Sequence, residues 1–367
     1  MKKLLLILLC LPMIGFGQGW EKTFSISDYD FGKSVQQTSD GGYIIAGSTE
    51  TYIWIIRTDN AGDTLWTNTF GGSNLSYKGN SVQQTNDGGY IILANKDPGG
   101  GNPNFYETIL IKLDVQGDSI WGVTFTGGEG ASIQQTNDGG YIILGPAQTG
   151  GTGWLIKTDV NGTQIWNRTL TFNNLDWWGM ESVQQTNDGG YIICGAVGSF
   201  TGGGAFGGFL LKTDNNGIEE WSHHYTNSIF TGTNWGGVAE ETSDGGYIMI
   251  GYYWDSSSEH NGWLAKTDNL GNLQWEKSFG DIFDDEFEDG QQTTDGGYIM
   301  TGYKSGSQSN YSGKAWLIKV DLNGNLQWEQ EYAANNGPFG CYGKSVQQTS
   351  DGGYIITGYT LLNVPDP

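Results

Sequence analysis

The sequence predicts an all-β protein: a seven-bladed β-propeller of four-stranded blades, with the N-terminal strand closing an incomplete last blade. Three observations lead to that class. The phrase Thr-x-Asp-Gly-Gly-Tyr-Ile occurs seven times, with its aspartate at Asp40, Asp87, Asp138, Asp188, Asp244, Asp295 and Asp351, spaced 47 to 56 residues apart. A repeat of roughly 40 to 50 residues built from short strands marks propeller arrays, one radial blade per repeat. A tryptophan recurs with the same period at Trp66, Trp121, Trp166, Trp221, Trp275 and Trp328, and Trp20 supplies a seventh copy ahead of the first repeat. Asp-Gly pairs between β-prone runs complete the pattern, because glycine takes the positive φ that tight hairpin turns require.

The chain opens with Met1-Lys2-Lys3, an apolar stretch from Leu4 to Ile14, and Gly15-Phe16-Gly17. That order reads as a signal peptide over residues 1–17, cut before Gln18, and predicts a secreted or cell-surface protein. The stretch is too short to cross a bilayer, which takes about 20 residues. Cys10 follows Leu8-Leu9 rather than a small residue, which weighs against a lipid anchor. Residues 18–360 then form the propeller, and 361–367 a tail.

Each repeat carries four strands, A to D. In the first, Ser34–Thr38 runs into Ser39-Asp-Gly-Gly42 and returns as Tyr43–Gly47, after which Trp54–Thr58 meets Asp59-Asn-Ala-Gly62 and Leu65–Phe70. The recurring tryptophan lies in strand D, and four residues beyond each copy stands Phe70, Phe125, Leu170, Tyr225, Phe279 or Tyr332. An even offset puts both rings on one face, so the pair reads as the packing of one blade on the next. The seven turn aspartates read as acceptors for their own turn's backbone.

The two ends of the chain complement each other. Trp20-Glu-Lys-Thr-Phe24 is nearly identical to Trp275-Glu-Lys-Ser-Phe279 but has no strands A to C before it, whereas Ser345 to Tyr359 supplies only A and B. The N-terminal strand is therefore expected to close the last blade as its strand D, removing exposed sheet edges. Leu361–Pro367 is short and proline-bearing where Trp-Leu-Ile-Lys-Thr-Asp is expected, which reads as a truncated chain or an incomplete blade.

The Asp-x-x-Gly-x-x-x-Trp hairpins resemble the tryptophan-docking repeats of quinoprotein-type propellers, and Thr-x-Asp-Gly-Gly-Tyr is similar to half of the Asp-box of sialidase-type propellers. The whole repeat, from Trp20 to Tyr359, resembles the Asp-Gly-Gly-Tyr propeller repeats of secreted Bacteroidetes proteins, which often end in a sorting domain. These motifs specify fold and say little of function.

Composition narrows the function. The chain carries 17 basic and 40 acidic side chains, a net charge of −23. Phosphate binding needs clustered Lys and Arg, so nucleic acid is excluded as a partner. Beyond the leader only Cys194 and Cys341 remain, too few for a disulfide framework. Arg57 and Arg168 are the only arginines, which excludes the three-arginine cluster that sialidase-like chemistry implies. His223 and His224 adjoin in a strand and point to opposite faces, a poor joint metal site. No cofactor is expected.

Antiparallel blades place the uniform A–B and C–D turns at one end and the B–C and D–A loops, variable in length, at the other. Variable loops on a rigid scaffold are where binding usually resides. They hold Phe105, Tyr106, Trp177, Trp178, Trp235, Tyr252, Tyr253, Trp254 and Tyr311, aromatic anchors suited to interfaces or to the apolar faces of sugars. An aromatic residue followed by glycine recurs before strand A, as in Phe31-Gly32, Trp178-Gly179, Trp235-Gly236 and Tyr342-Gly343. It reads either as crowding a channel mouth or as packing between blade tops. The acidic run Asp281–Asp289, with Asp284, Asp285, Glu286 and Asp289, could offer a hard cation oxygens, but it lacks the spacing of a calcium loop. The expected function is a monomeric binding or scaffold module whose loop end meets a glycan or protein. The alternative is a glycan-active hydrolase or lyase using loop carboxylates, and a purely structural envelope protein is a third reading.

Overall fold

A computed structural model describes residues 2–9, 19–72, 75–97, 106–147, 152–171, 177–198, 207–225, 234–254, 260–281, 283–305, 313–333 and 340–361. Every regular element in it is a strand. Six four-stranded antiparallel sheets are each made from one continuous run of chain. In the first blade the strands are Phe31–Gln37, Tyr43–Ser48, Tyr52–Thr58 and Thr64–Gly71. The other five runs begin at Ser76, Ser132, Trp177, Asn234 and Asp285, and the sixth ends at Tyr332.

The last sheet corrects the expectation of a seventh, incomplete blade closed by the N-terminal strand. The final repeat contributes only Cys341–Gln348 and Tyr354–Leu361. Trp20–Phe24 does not reach them, because Lys2–Leu9 lies between, antiparallel both to Tyr354–Leu361 and to Trp20–Phe24. The sheet is a composite of two C-terminal and two N-terminal strands. The physical reason is the open edge of Tyr354–Leu361, whose unpaired backbone groups take up the nearest available extended segment.

Burial differs strand by strand. Tyr43–Ser48 is buried along its whole length, whereas Thr64–Gly71 alternates between exposed and half-buried residues. A strand covered on both faces reads as a continuous apolar run, which explains Tyr-Ile-Ile-x-Gly, while a strand at the rim reads as an alternation. The strand-B glycine has a packing reason: a Cβ on Gly47, Gly195 or Gly358 would collide with the carbonyl oxygen of Phe31, Gly179 or Tyr342. Those residues precede β-bulges in strand A, after Gly32, Met180 and Gly343 respectively.

The contacts divide the chain into two compact units, Met1–Gly99 with Ile111–Ile120 and Glu288–Pro367, and Gly100–Leu110 with Trp121–Phe287. Within the first unit the ring of Trp20 meets Tyr43 edge-on at 5.8 Å, Trp66 meets Tyr90 at 5.8 Å, and Trp328 meets Tyr354 at 5.7 Å. Within the second, Trp121, Trp166 and Trp221 meet Tyr141, Tyr191 and Tyr247 at 6.1, 6.1 and 5.6 Å. In these six cases the indole of strand D packs on the Asp-Gly-Gly-Tyr tyrosine of the next sheet. Five of them, Trp20, Trp66, Trp121, Trp166 and Trp221, also cover that sheet's C–D turn glycine: a Cβ on Gly217, at φ +73, would meet the Trp166 ring. Around Trp166, Ile142, Leu144 and Leu155 of one blade mesh with Val183, Tyr191, Ile193 and Leu211 of the next.

A polar ladder links neighbouring strands A. The first glutamine of Gln-Gln-Thr accepts from the next blade's backbone, as Gln184 Oε1 does from Glu241 N at 2.8 Å. The second reaches back, as Gln185 Oε1 does to Asn137 N at 2.8 Å. In the first unit the same ladder ties the last repeat to the first, with Gln37 N donating to Gln347 Oε1 and Ser350 N to Gln37 Oε1.

If the indole is the main inter-blade wedge, Trp166→Ala should lower the unfolding free energy by about 3 kcal/mol in urea titration, while Trp166→Phe loses less. A loss below 1 kcal/mol, on the order of a surface substitution, would contradict that role.

Candidate functional site

At the turn end, the repeated aspartates, threonines and strand-C cations bond one another. Asp188 accepts from Thr186 Oγ1 at 2.5 Å and from Gly190 N at 2.9 Å, closing its own turn. It also pairs with Lys212 Nζ at 2.8 Å. The same ion pair joins Asp40 to Arg57, Asp87 to Lys112, Asp138 to Lys157, Asp244 to Lys266 and Asp295 to Lys319. These six strand-C cations are buried, and Lys212 is only 2% exposed. A buried ammonium needs an anion and carbonyl acceptors, and Lys212 finds the latter in Thr213 O at 2.9 Å. Sequence reasoning saw the recurring Lys/Arg only as part of its own hairpin. The pairing with the Asp-Gly-Gly aspartate, 17 to 25 residues upstream, becomes visible only once strand B lies beside strand C.

Partial burial pushes the Asp188 and Asp244 carboxyls up, but hydrogen bonds from the lysine, the threonine and the turn backbone outweigh it and hold both at about 2.

A cavity of about 500 Å³ also sits at this end, beside Asp40, Arg57, Trp66, Gln84 and Tyr90. Arg57 and Gln84 are committed to the fold there: Arg57 Nε donates to Tyr90 Oη at 2.9 Å, and Gln84 Oε1 accepts from Ser39 N at 2.8 Å. It reads as the seam between two blades.

The loop end of the third blade is different. A cavity of about 320 Å³ is lined by Phe125, Thr126, Gly127, Gly128, Ala147, Thr152, Gly153, Trp154, Ile156, Asn167 and Thr169. Trp154 lies opposite Thr169, and Ile156 opposite Asn167, across the C–D pairing, so the four side chains share one face. Gly128, at φ +148, brings the D–A loop against the indole, where a Cβ would strike Pro146 O and Trp154 Nε1.

In three other blades the matching tryptophan donates to a strand-D side chain: Trp54 to Thr67 Oγ1 at 2.5 Å, Trp263 to Glu276 Oε2 at 3.1 Å and Trp316 to Glu329 Oε2 at 2.9 Å. Trp154 instead donates to Pro146 O at 3.0 Å. Asn167, the corresponding strand-D residue, is thereby released. Among the described residues, the Asn167 amide and the Thr169 hydroxyl have no partner, and both residues are exposed. The site joins an aromatic wall to one amide and several hydroxyls, and no lining residue ionises. Such a surface suits recognition of a neutral polar ligand. Nothing in it is a nucleophile held beside a base.

The aromatic residues expected at the loop end fall in three groups. Tyr106 and Tyr252 are half-buried, and the Tyr252 ring lies 5.1 Å from that of His260. Tyr253 is buried and hydrogen-bonds Ser278 Oγ at 2.9 Å, which makes it a packing residue. Trp177, Trp178, Trp235 and Trp254 lie on strand ends. Their side chains, with Phe105 and Tyr311, lie outside the described residues. The aromatic-glycine pairs supply packing in the first unit: Tyr342 stacks on Tyr303 at 4.3 Å and on Tyr359 at 4.8 Å, and Phe31 meets Tyr359 at 5.1 Å.

The carboxylates of the acidic run are taken up by protein partners, two of them by His260. Asp284 accepts from His260 N at 3.0 Å, Glu286 bonds His260 Nδ1, and Asp285 accepts from Asp281 N at 2.8 Å. Asp289 accepts from Val346 N and Gly290 N, both at 2.9 Å, and removal from water pushes its carboxyl up to about 6. Among the described residues no three His, Cys, Asp or Glu groups converge as metal ligands.

No family model matches the sequence, and no curated protein does. Solved structures do match its fold. The BP39L lectin from Burkholderia pseudomallei superposes with a TM-score of 0.56 at 8% identity, covering 88% of this chain and 94% of that one. A protein from Lactobacillus plantarum gives 0.53 at 12%, covering 91% and 97%, and the Dos1 propeller gives 0.50 at 11%, covering 94% and 85%. The fold is a β-propeller. At these identities the likeness extends to fold and no further.

The acid range tests the turn-end ion pairs. A carboxyl held at about 2 in the folded chain, against about 3.9 unfolded, contributes stability in full above pH 4 and loses it as pH falls through 2. The urea midpoint should therefore drop between pH 4 and pH 2, and Asp188→Asn should lower it at pH 5 while flattening that drop. An unchanged acid slope in Asp188→Asn would count against the pair.

Proposed function

We propose that the chain is an exported β-propeller of the Asp-Gly-Gly-Tyr repeat type that serves as a binding or scaffold module at the cell surface or outside the cell. Its contact surface is the loop end of the blades, and its ligand is a glycan or a protein. Within the second unit the cavity against Trp154 is the pocket, and a neutral sugar ring is the ligand class it fits. The observation that carries this reading is the pair of uncommitted polar groups, Asn167 and Thr169, beside an indole in an uncharged cavity.

The chemistry supports that choice. Indole faces take up the C–H side of a sugar, while an amide offers a donor and an acceptor to adjacent hydroxyls. The volume is near the lower end of the range for small-ligand sites. Neutrality matters because the protein as a whole carries −23. An uncharged recess admits a neutral saccharide without the desolvation penalty of a buried carboxylate. The lectin among the similar folds agrees with this direction. Export rests on residues 1–17, and the loop aromatics Tyr106 and Tyr252 belong to the same proposed face.

A glycan array probed with the purified protein should give a restricted set of neutral hits. Asn167→Ala and Thr169→Val should each weaken the best hit about tenfold, the equivalent of one lost hydrogen bond, with Tm within 2 °C or so of wild type. Undiminished binding in both variants would remove the pocket from consideration, and an array blank for neutral sugars would remove the ligand class.

A further inference from the structure

The loop end of the first blade inverts the recess of the third. That recess owes its room to small residues at two places: Gly127, six residues after Trp121, and Thr152, where strand C begins. In the first blade the same two places hold Ile26, six residues after Trp20, and Tyr52, the first residue of its strand C. Large side chains stand where the third blade has small ones. Ile26, Tyr29 and Tyr52 are 55%, 51% and 40% exposed. Among the described residues, every other large apolar side chain of comparable exposure lies on a C–D hairpin at the turn end, as Leu65 and Leu326 do. The exposed apolar surface of the loop end is therefore gathered on one blade, and exposed apolar patches mark interaction surfaces.

Two short segments present these side chains, and both belong to the first unit. Phe31 pairs with Ser48 at the ends of strands A and B, so residues 25–30 and 49–52 leave the blade at the same end. Each is pinned by a side chain of its own. Asp30 is buried and accepts from Ile26 N at 2.9 Å, Ser27 N at 3.0 Å and Ser27 Oγ at 2.7 Å. Thr49 N donates to Tyr52 O at 2.9 Å, while Thr49 Oγ1 accepts from Tyr52 N at 3.2 Å. The Tyr52 ring lies along the backbone of Gly72, where a Cβ would come within 2.9 Å of it. Segments ordered before binding spare a partner the entropy of ordering them.

Charge decides the partner. Each segment carries one exposed carboxylate, Asp28 on the first and Glu50 on the second, and neither segment contains a lysine or arginine. Among the described residues, neither carboxylate has a partner.

We propose that the loop end of the first blade is a docking surface for a cationic polypeptide segment, one that sets apolar side chains beside Lys or Arg. Tyr29, Tyr52 and Ile26 are its apolar anchors, and Asp28 and Glu50 take its cations. Exposed tyrosine rings serve both parts, since they bury area and attract a cation to their face. The two carboxylates steer a basic segment in and turn away polyanions and acidic lipid. The proposal rests on the reading of the loop end as the contact face, and it is independent of the recess against Trp154.

The purified full chain is panned against a phage library of random peptides, and the best sequence is synthesised and titrated by fluorescence anisotropy. Enriched peptides should combine Lys or Arg with aliphatic or aromatic residues. Tyr29→Ser and Tyr52→Ser should each weaken the synthetic peptide about tenfold with Tm unchanged. Asp28→Asn together with Glu50→Gln should weaken it about as much and flatten its salt dependence. No enrichment, enrichment of acidic peptides, or undiminished binding in both tyrosine variants overturns the proposal. So does a wild-type dimer that Tyr29→Ser dissociates in sedimentation, which gives the surface to a second copy, or capture by phosphatidylcholine vesicles that the same variant abolishes, which gives it to a membrane. A glycan array bears on the Trp154 recess alone, so the two readings fail separately.

Discussion

The indole of the fourth strand, packed against the tyrosine of the next sheet's hairpin at Trp20, Trp66, Trp121, Trp166, Trp221 and Trp328, and over that sheet's turn glycine in the first five of these, is the contact on which the other repeated features depend. A four-stranded antiparallel sheet with both faces apolar is stable only when both are covered, and here the cover is the neighbouring sheet. The wedge requires a tyrosine at a set distance after the Asp-Gly-Gly turn and a turn glycine with no Cβ to obstruct the ring. The buried Lys–Asp pair braces the hairpin that presents the tyrosine. The glutamine ladder then holds the strands A of adjacent sheets in register at the opposite side of each blade.

This division of labour separates the two ends of the blades. At the turn end the aspartates, strand-C cations, glutamines and threonines bond one another, so Arg57, Gln84 and Tyr90 beside the cavity there are engaged within the fold. At the loop end the repeat relaxes. In the third blade it relaxes in a specific way, because Trp154 takes a backbone carbonyl in place of the usual strand-D side chain and leaves the Asn167 amide without that bond, beside the exposed Thr169. A small departure from the repeat thereby turns a packing position into a recess with hydrogen-bonding capacity.

Much of the fold could be read from the chain because its rules are local. Tight turns need glycine, strands buried on both faces need unbroken apolar runs, and a once-per-repeat tryptophan needs a partner at the same period. The candidate site was less legible. The sequence read Tyr106, Tyr252 and Tyr253 alike as loop-end aromatics, but Tyr253, the next residue along the strand from half-buried Tyr252, is buried and bonds Ser278. Asn167 and Thr169 carry no motif at all. Their availability depends on what Trp154 bonds instead, which is a competition between acceptors that no spacing encodes.

The amino-acid sequence by itself determined the repeat, its strand order and the turn chemistry, since each follows from backbone geometry within about fifty residues. Only the tertiary structure decided which polar groups are satisfied and which strand completes the last sheet. Those outcomes depend on contacts between segments far apart in the chain. The Asp188–Lys212 pair, the glutamine ladder and the placement of Lys2–Leu9 between Tyr354–Leu361 and Trp20–Phe24 exist only after the strands have been laid side by side.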